Sequence, residues 1–282
     1  MNYQLVAIDL DGTLLNSANA VSERNAAALR AAITGGLVVA AATARPYPSA
    51  RRIFEGLGLE VPVIASGGAS VREAGGAVIR EAALPHGAAR AMAAVCHAQG
   101  WGLTLATGDA MYFMAAERPE WIGQGQRRVE FLEHPGAVPE SGVLSLIING
   151  PADADLVLGL EAWDGGLQAY RARTNDMATL TTVTATGADK GHGLRHLCAH
   201  LGLEPATAVA IGDSEVDLPM FAVAGLAVAM GNAGELVRQH ASHVTASADD
   251  DGVAVVLESL LGGSFGKGSA RASGAGTAQA LQ

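Results

Sequence analysis

Two aspartates two residues apart, Asp9 and Asp11, lie in the run Asp9-Leu10-Asp11-Gly12-Thr13, and three distant fragments carry groups able to work with them. These are Thr43, Lys190 and the segment Gly212-Asp213-Ser214-Glu215-Val216-Asp217. The chemistry such a set suits is magnesium-dependent phosphoryl transfer to an aspartate. Asp9, sitting on Mg²⁺, can attack a phosphoryl group and form an aspartyl phosphate, while Asp11 can protonate the leaving oxygen and afterwards activate water. Asp213 offers a hard oxygen ligand to Mg²⁺, which takes one or two carboxylates together with waters and phosphate oxygens. Asp217, four residues on, can face the same way at a helix start and act from behind the metal ligands. Lys190 provides a point charge for the phosphoryl oxygens and for the nucleophile carboxylate, and Thr43 a hydroxyl donor to the transferring group. Gly12 lets the backbone approach the phosphate, and Thr13 helps hold the turn. Singly, each has an ordinary explanation, such as a first-turn surface lysine or a threonine ending a strand. Their joint order carries the reading.

For these groups to meet, the segments before them must be neighbouring strands. Leu5 to Leu10 and Ala206 to Ile211 are largely apolar runs of the kind that forms buried parallel strands, with Asp9 at the end of the first and Asp213 just past the second. The carboxylates then emerge at the carboxyl edge of a sheet, where open α/β sheets bind ligands. Ser22 can cap a helix running to about Ile33 that Gly35-Gly36 ends; Leu37 to Thr43 is the next strand, followed by a helix around Ser49 to Glu55 and a strand at Pro62 to Ala65. This alternation predicts a parallel sheet. Ala69 to Arg72 and Val78 to Glu81, split by Gly75-Gly76, read as a hairpin that interrupts it. The series resumes with a helix from Lys190 to about Leu201, the strand ending at Ile211, a helix around Asp217 to Val223, a strand at Leu226 to Met230 and a last helix near Val253 to Leu260.

Between these parts lies an insert with its own expected helices (His86 to Gln99 and Ala152 to Trp163) and strands (Gly102 to Ala106, Met111 to Ala115, Val143 to Ile148, Leu167 to Arg171 and Thr179 to Thr184). The fold class expected is therefore α/β, with a discontinuous core over residues 1–83 and 187–261, an α+β cap over 84–186, and a disordered Gly/Ser/Ala-rich tail over 262–282. Trp101, Trp121, Trp163, Tyr112, Tyr170, Phe113 and Phe131, seven of the chain's twelve aromatics, fall in the insert and are expected to form the cap's own core.

With 282 residues, 49% of them apolar, the chain can bury a substantial core. A net charge of −10 argues against general binding to nucleic acid or an anionic membrane, both of which call for a basic surface. Cys96 and Cys198 are the only cysteines and fall in different parts of the expected fold, which speaks against a disulfide framework. The longest apolar stretches are far short of the ~20 residues of a spanning helix, and the first four residues lack a basic leader pattern. A cytoplasmic location is expected. His192, His196 and His200 have i, i+4 spacing, yet a solvated or packed helix face explains them better than a metal site.

The quoted motifs together resemble the haloacid dehalogenase superfamily, in its Cof-type branch with an α/β cap inserted after the third core strand. The resemblance rests on Asp9 to Leu15, Ala42-Thr43-Ala44-Arg45, Ala188-Asp189-Lys190-Gly191, Gly212 to Met220, Val228 to Ala233 and Asp250 to Val253, and spans about residues 3 to 260. It implies a Rossmann-like doubly wound core, Mg²⁺ held by Asp9, the main-chain carbonyl of Asp11 and Asp213, and hydrolysis of a small phosphorylated metabolite through a covalent intermediate. Thr43 and Lys190 would bind the phosphate, with Asp217 behind the metal. Five positions depart from the family pattern: Ala44 stands for its glycine, Gly67, Val216 and Ala248 for asparagines, and Thr182 for a frequent glutamate. Two rivals accompany the phosphatase reading: a phosphomutase or phosphotransferase passing the same intermediate to an alcohol, and a non-catalytic ligand-binding descendant.

Overall fold

A computed structural model describes residues 3–117, 129–150, 166–173 and 179–263 of the chain, organised by two sheets. Strand β1 (Leu5–Ile8) is apolar throughout and buried at every position, as a strand covered on both faces must be. Val6 and Ile8 pack with Leu14, Leu29 and Val253 on one side, while Leu5 and Ala7 pack with Leu194, Leu197 and Phe221 on the other. Helix α1 (Glu23–Thr34) starts where Ser22 Oγ accepts the Asn25 N–H at 3.0 Å, the cap anticipated from the sequence. It is followed by β2 (Val38–Ala42), α2 (Tyr47–Gly56) and β3 (Val63–Ala65), with β1, β2 and β3 mutually parallel. β4 (Ser70–Arg72) and β5 (Val78–Glu81) then fold back antiparallel as the expected hairpin.

The insert builds the second sheet beside helix α3 (Ala88–Gln99). Its strands are β6 (Gly102–Ala106), β7 (Met111–Met114), β8 (Val129–Phe131), β9 (Ser145–Gly150), β10 (Leu167–Arg173) and β11 (Thr179–Ala185), in the order β10-β11-β9-β6-β7-β8. All pairs are antiparallel except β7 with β8. Leu103, Leu105, Met114, Leu146 and Ile148 face α3 in one apolar cluster, and Trp101 and Tyr112 pack against it as expected. Phe113, alternating with Tyr112 and Met114, sits on the other face, its ring 6.5 Å from that of Phe131. The expected helix over Ala152 to Trp163, with Trp121, lies outside the described residues, as does the tail from residue 264.

The chain re-enters the first sheet through α4 (Lys190–Leu201) and β12 (Ala208–Gly212). The helix expected around Asp217 to Val223 is shorter: a 3₁₀ turn at Glu215–Asp217, boxed by Ser214 and Asp217, leads into α5 (Leu218–Phe221). β13 (Leu226–Ala229), α6 (Glu235–His240), β14 (His243–Val244) and α7 (Gly252–Leu261) complete the core. Neither α6 nor β14 was anticipated, being too short for a periodic signal. The order β14-β13-β12-β1-β2-β3-β4-β5 leaves β1 central, so the sequence runs away from it in both directions and opens a crevice at its carboxyl end. No helix among the described residues is long and apolar enough to cross a membrane, and Cys96 and Cys198 are free and buried in separate clusters.

Candidate active site

Asp9 follows β1 directly, and its N–H donates to Ile211 O at 3.0 Å, so the β1–β12 pairing continues one residue past the strand. Lys190 is placed by the cap of its helix: Asp189 Oδ1 accepts the His192 N–H at 2.8 Å. The lysine is 1% exposed, and its Nζ donates to Asp9 Oδ1 and to Asp217 Oδ1, each at 2.6 Å. Asp217 is wholly buried, and its Oδ2 accepts the N–H groups of Asp213 and Ser214 at 3.0 Å and the Ser214 hydroxyl at 3.1 Å. Asp213 Oδ1 takes the Thr13 hydroxyl at 3.0 Å. Close backbone approach makes this possible, because a β-carbon on Gly212 would stand 2.4 Å from Asp217 Cγ.

Oxygens of Asp9, Asp213 and Asp217 lie within 4.8 Å of one another. One lysine cannot neutralise three carboxylates. Burial drives the Asp9 carboxyl well above its ordinary range, with Asp217 and Asp213 adding to the effect against the pull of Lys190. Burial and then Asp217 push Asp213 up to about 6. Burial opposes the charge on Lys190, but Asp217 and Asp9 outweigh it and hold the ammonium protonated. The cluster is short of positive charge. Since both Asp217 oxygens are already engaged, Asp9 and Asp213 have oxygens to offer, and this buried, hard-oxygen pair fits a divalent cation such as Mg²⁺.

Asp11 is placed differently from its neighbour. Its side chain is 57% exposed and lies in the fork of Arg45, whose Nε donates to Oδ2 at 2.8 Å while Nη2 donates to Oδ1 and to Asn19 Oδ1. The carboxylate beside Asp9 and Asp213 is thus that of Asp217, and the part expected of Asp11 at the cation is its main-chain carbonyl. Thr43 is fully buried after β2; its N–H donates to Ile64 O and its Oγ1 accepts the Arg45 N–H at 3.0 Å. Sequence reasoning quoted Arg45 without assigning it a task. Asn232, likewise within a quoted motif and given no task, has an Nδ2 that donates to Gly12 O at 2.8 Å and an Oδ1 that accepts the Ala248 N–H at 2.9 Å, fastening the acidic loop from outside. His192 and His200 meet separate carboxylates, Asp189 at 2.8 Å and Glu73 at 2.9 Å.

Arg45 also opens onto a cleft of about 340 Å³ between the two sheets. Asn19, Arg45, Pro46, Pro48, Ser49 and Arg52 supply its core wall; Thr104, Met111, Phe113, Val129 and Ile147 supply the wall from the second sheet. The turn between β6 and β7 is seated by Arg72, which pairs with Glu81 at 2.6 Å, reaches Asp109 at 3.3 Å and lies 4.8 Å over the Tyr47 ring.

A family model described as haloacid dehalogenase-like hydrolase matches residues 6–257. The protein named Phosphatase YwpJ of Bacillus subtilis is 30% identical over 92% of this chain and 100% of its own length. From the same organism, 5-amino-6-(5-phospho-D-ribitylamino)uracil phosphatase YwtE is 26% identical over 92% of this chain and 99% of its own. A solved haloacid dehalogenase-like hydrolase from B. subtilis superposes with a TM-score of 0.78 at 24% identity, covering 90% of this chain and 99% of that one, a likeness of fold.

Proposed function

The chain belongs to the haloacid dehalogenase-like hydrolases, and we propose that it is a Mg²⁺-dependent phosphatase hydrolysing a small phosphorylated metabolite through an aspartyl phosphate on Asp9. One observation carries this reading: the buried Lys190 ammonium bridges Asp9 and Asp217 while Asp213 stands beside them, an arrangement with no use in a merely packed core. The names of the relatives point the same way.

In this reading Lys190 holds the Asp9 carboxylate in place and meets the phosphoryl oxygens, with Thr43 supplying a hydroxyl. Asp9 attacks phosphorus; a P–O bond to Asp9 forms as the bond to the leaving oxygen breaks, and Asp11 gives that oxygen its proton. Asp11, now a carboxylate, takes a proton from water, whose oxygen attacks phosphorus and frees Asp9 with release of phosphate. Asp9, Asp213 and the Asp11 carbonyl would hold Mg²⁺, which would supply charge to offset the repulsion between carboxylates and phosphate. Asp217 keeps Lys190 and the Asp213 loop oriented from behind.

We take residues 1–83 and 187–261 as the catalytic core and 84–186 as a cap that covers the leaving group. This division is supported by the separation of the strands into two sheets. We place the protein in the cytoplasm, a setting suited to its two free thiols. Asp9→Asn should abolish turnover of a generic phosphate ester while circular dichroism stays native; near-normal turnover in the folded variant would refute the covalent mechanism. Release of free phosphate without an added alcohol separates hydrolysis from transfer.

A further inference from the structure

We propose that the cleft beside Arg45 selects phosphate esters whose leaving group carries an apolar ring, and that Phe113 is the residue that sets this preference. The inference rests on the phosphatase reading and names the substrate class of that site. The cleft adjoins the reaction centre through Arg45, which lines it and also grips the Asp11 carboxylate. At about 340 Å³ it has the size of a small-molecule site.

Its two walls differ in chemistry. In the second sheet Thr104 stands opposite Phe113 on one side and Ile147 on the other, and Met111 stands opposite Val129. These five side chains are half-buried on the face turned away from α3, and among them only Thr104 bears a hydroxyl. A polyol entering here would give up hydrogen bonds to water along that whole wall and recover few of them, which a polar group entering a dry site cannot do without loss. A ring loses no such bonds and gains contact with Phe113, whose ring is already propped by Phe131. The core wall brings the rigid apolar edges of Pro46 and Pro48 together with polar groups, of which Arg45 and Asn19 meet each other beside Asp11. The cleft thus offers a leaving group a mainly apolar wall from the second sheet and a mixed wall from the core, whose Arg45 borders Asp11.

The test compares binding of benzylphosphonate and methylphosphonate by calorimetry in the presence of Mg²⁺, using the full chain and the variants Phe113→Ser and Phe113→Leu. Benzylphosphonate is expected to bind roughly tenfold more tightly than methylphosphonate, the scale of one good aromatic contact. Phe113→Ser should erase that gap, and Phe113→Leu, which retains apolar volume, should keep part of it even if the serine variant folds poorly. Equal binding of the two phosphonates by the unaltered chain, or a gap that persists in Phe113→Ser, would overturn the inference. Hydrolysis of acetyl phosphate, benzyl phosphate and glucose 6-phosphate by the same samples keeps the two claims apart. Turnover of acetyl phosphate without a ring preference overturns the cleft assignment alone; a ring preference in binding with no ester cleaved upholds the cleft and overturns hydrolysis.

Discussion

Gly12 and Asp213 fit together only because nothing stands between them: a β-carbon on Gly12 would lie 2.5 Å from Asp213 Oδ2. The same glycine has φ +76°, a conformation that costs other residues roughly 1–2 kcal/mol. Gly12→Ala is therefore expected to push the Asp213 carboxylate away from the Thr13 hydroxyl that it accepts. Turnover should fall by at least about tenfold, since a modest misplacement in an active site can cost about a hundredfold, and the concentration of Mg²⁺ needed for half-maximal activity should rise. Titrating Mg²⁺ against rate in the variant checks this, and unchanged kinetics would show that the loop can shift without consequence.

Asp213, at about 6, and Asp9, also raised, hold protons in the folded chain at pH values where unfolded aspartates, near 3.8, have lost them. Groups of this kind stabilise the fold fully below the unfolded value, and their contribution is lost as pH rises through the folded one. The metal-free protein should therefore lose stability between about pH 4 and 7, by on the order of 3 kcal/mol from Asp213. Mg²⁺ should restore it increasingly toward neutral pH, because a ligand that binds only the folded state stabilises it. Melting curves in chelator and in Mg²⁺ across this range give the measurement, with Asp213→Asn as control. Parallel curves for the two proteins in chelator would remove Asp213 from the account.

Much of this arrangement was legible because it is written in contiguous runs. Leu5–Ile8 and Ala208–Gly212 are apolar without interruption, and an acid follows each closely, so their place at one sheet edge could be read directly. Ser22 announced its helix by residue type alone. What remained hidden depends on contacts between distant positions. The Asp11–Arg45 pair joins residues 34 apart and the Asn232–Gly12 bond residues 220 apart, and nothing local in either sequence names the partner. The complete burial of Asp217 was hidden for the same reason, as it requires Lys190 from the far side of the crevice. β8 escaped notice because Val129-Glu130-Phe131 is a short run broken by a charge, with no continuous apolar stretch such as that of β3.

Lys190 should prove as important to the fold as to the reaction. Lys190→Met removes the ammonium that bridges these buried carboxylates, leaving Asp9 and Asp217 uncompensated, a loss of about 3–5 kcal/mol where one partner of a buried pair is deleted. Adding Asp217→Asn should recover part of that stability and none of the activity. Denaturant titration of the single and double variants at neutral pH in chelator measures the coupling; additive losses would mean that the two groups do not share one charge balance.

Arg45 grips both Asp11 oxygens and anchors itself on Asn19, so the orientation of Asp11 depends on a bidentate fork that lysine cannot reproduce. The forked carboxylate has no proton to give, so Asp11 acts as donor only after substrate draws it partly out of the fork and it is protonated. With Arg45 still steering it, the benefit should grow as the leaving group becomes a poorer one, since only poor leaving groups need protonation. General acid catalysis is worth about 10²- to 10⁴-fold. Arg45→Ala should accordingly lower kcat/KM for an alkyl phosphate by roughly 10- to 100-fold, while an activated aryl phosphate loses less than about threefold, and Arg45→Lys should fall between. The aryl ester also guards against misreading a general collapse of the site, which would depress both substrates alike. Rates for a series of esters graded by leaving-group acidity would show a steeper dependence in the alanine variant; an equal loss across the series would assign Arg45 to phosphate binding instead of to the orientation of Asp11.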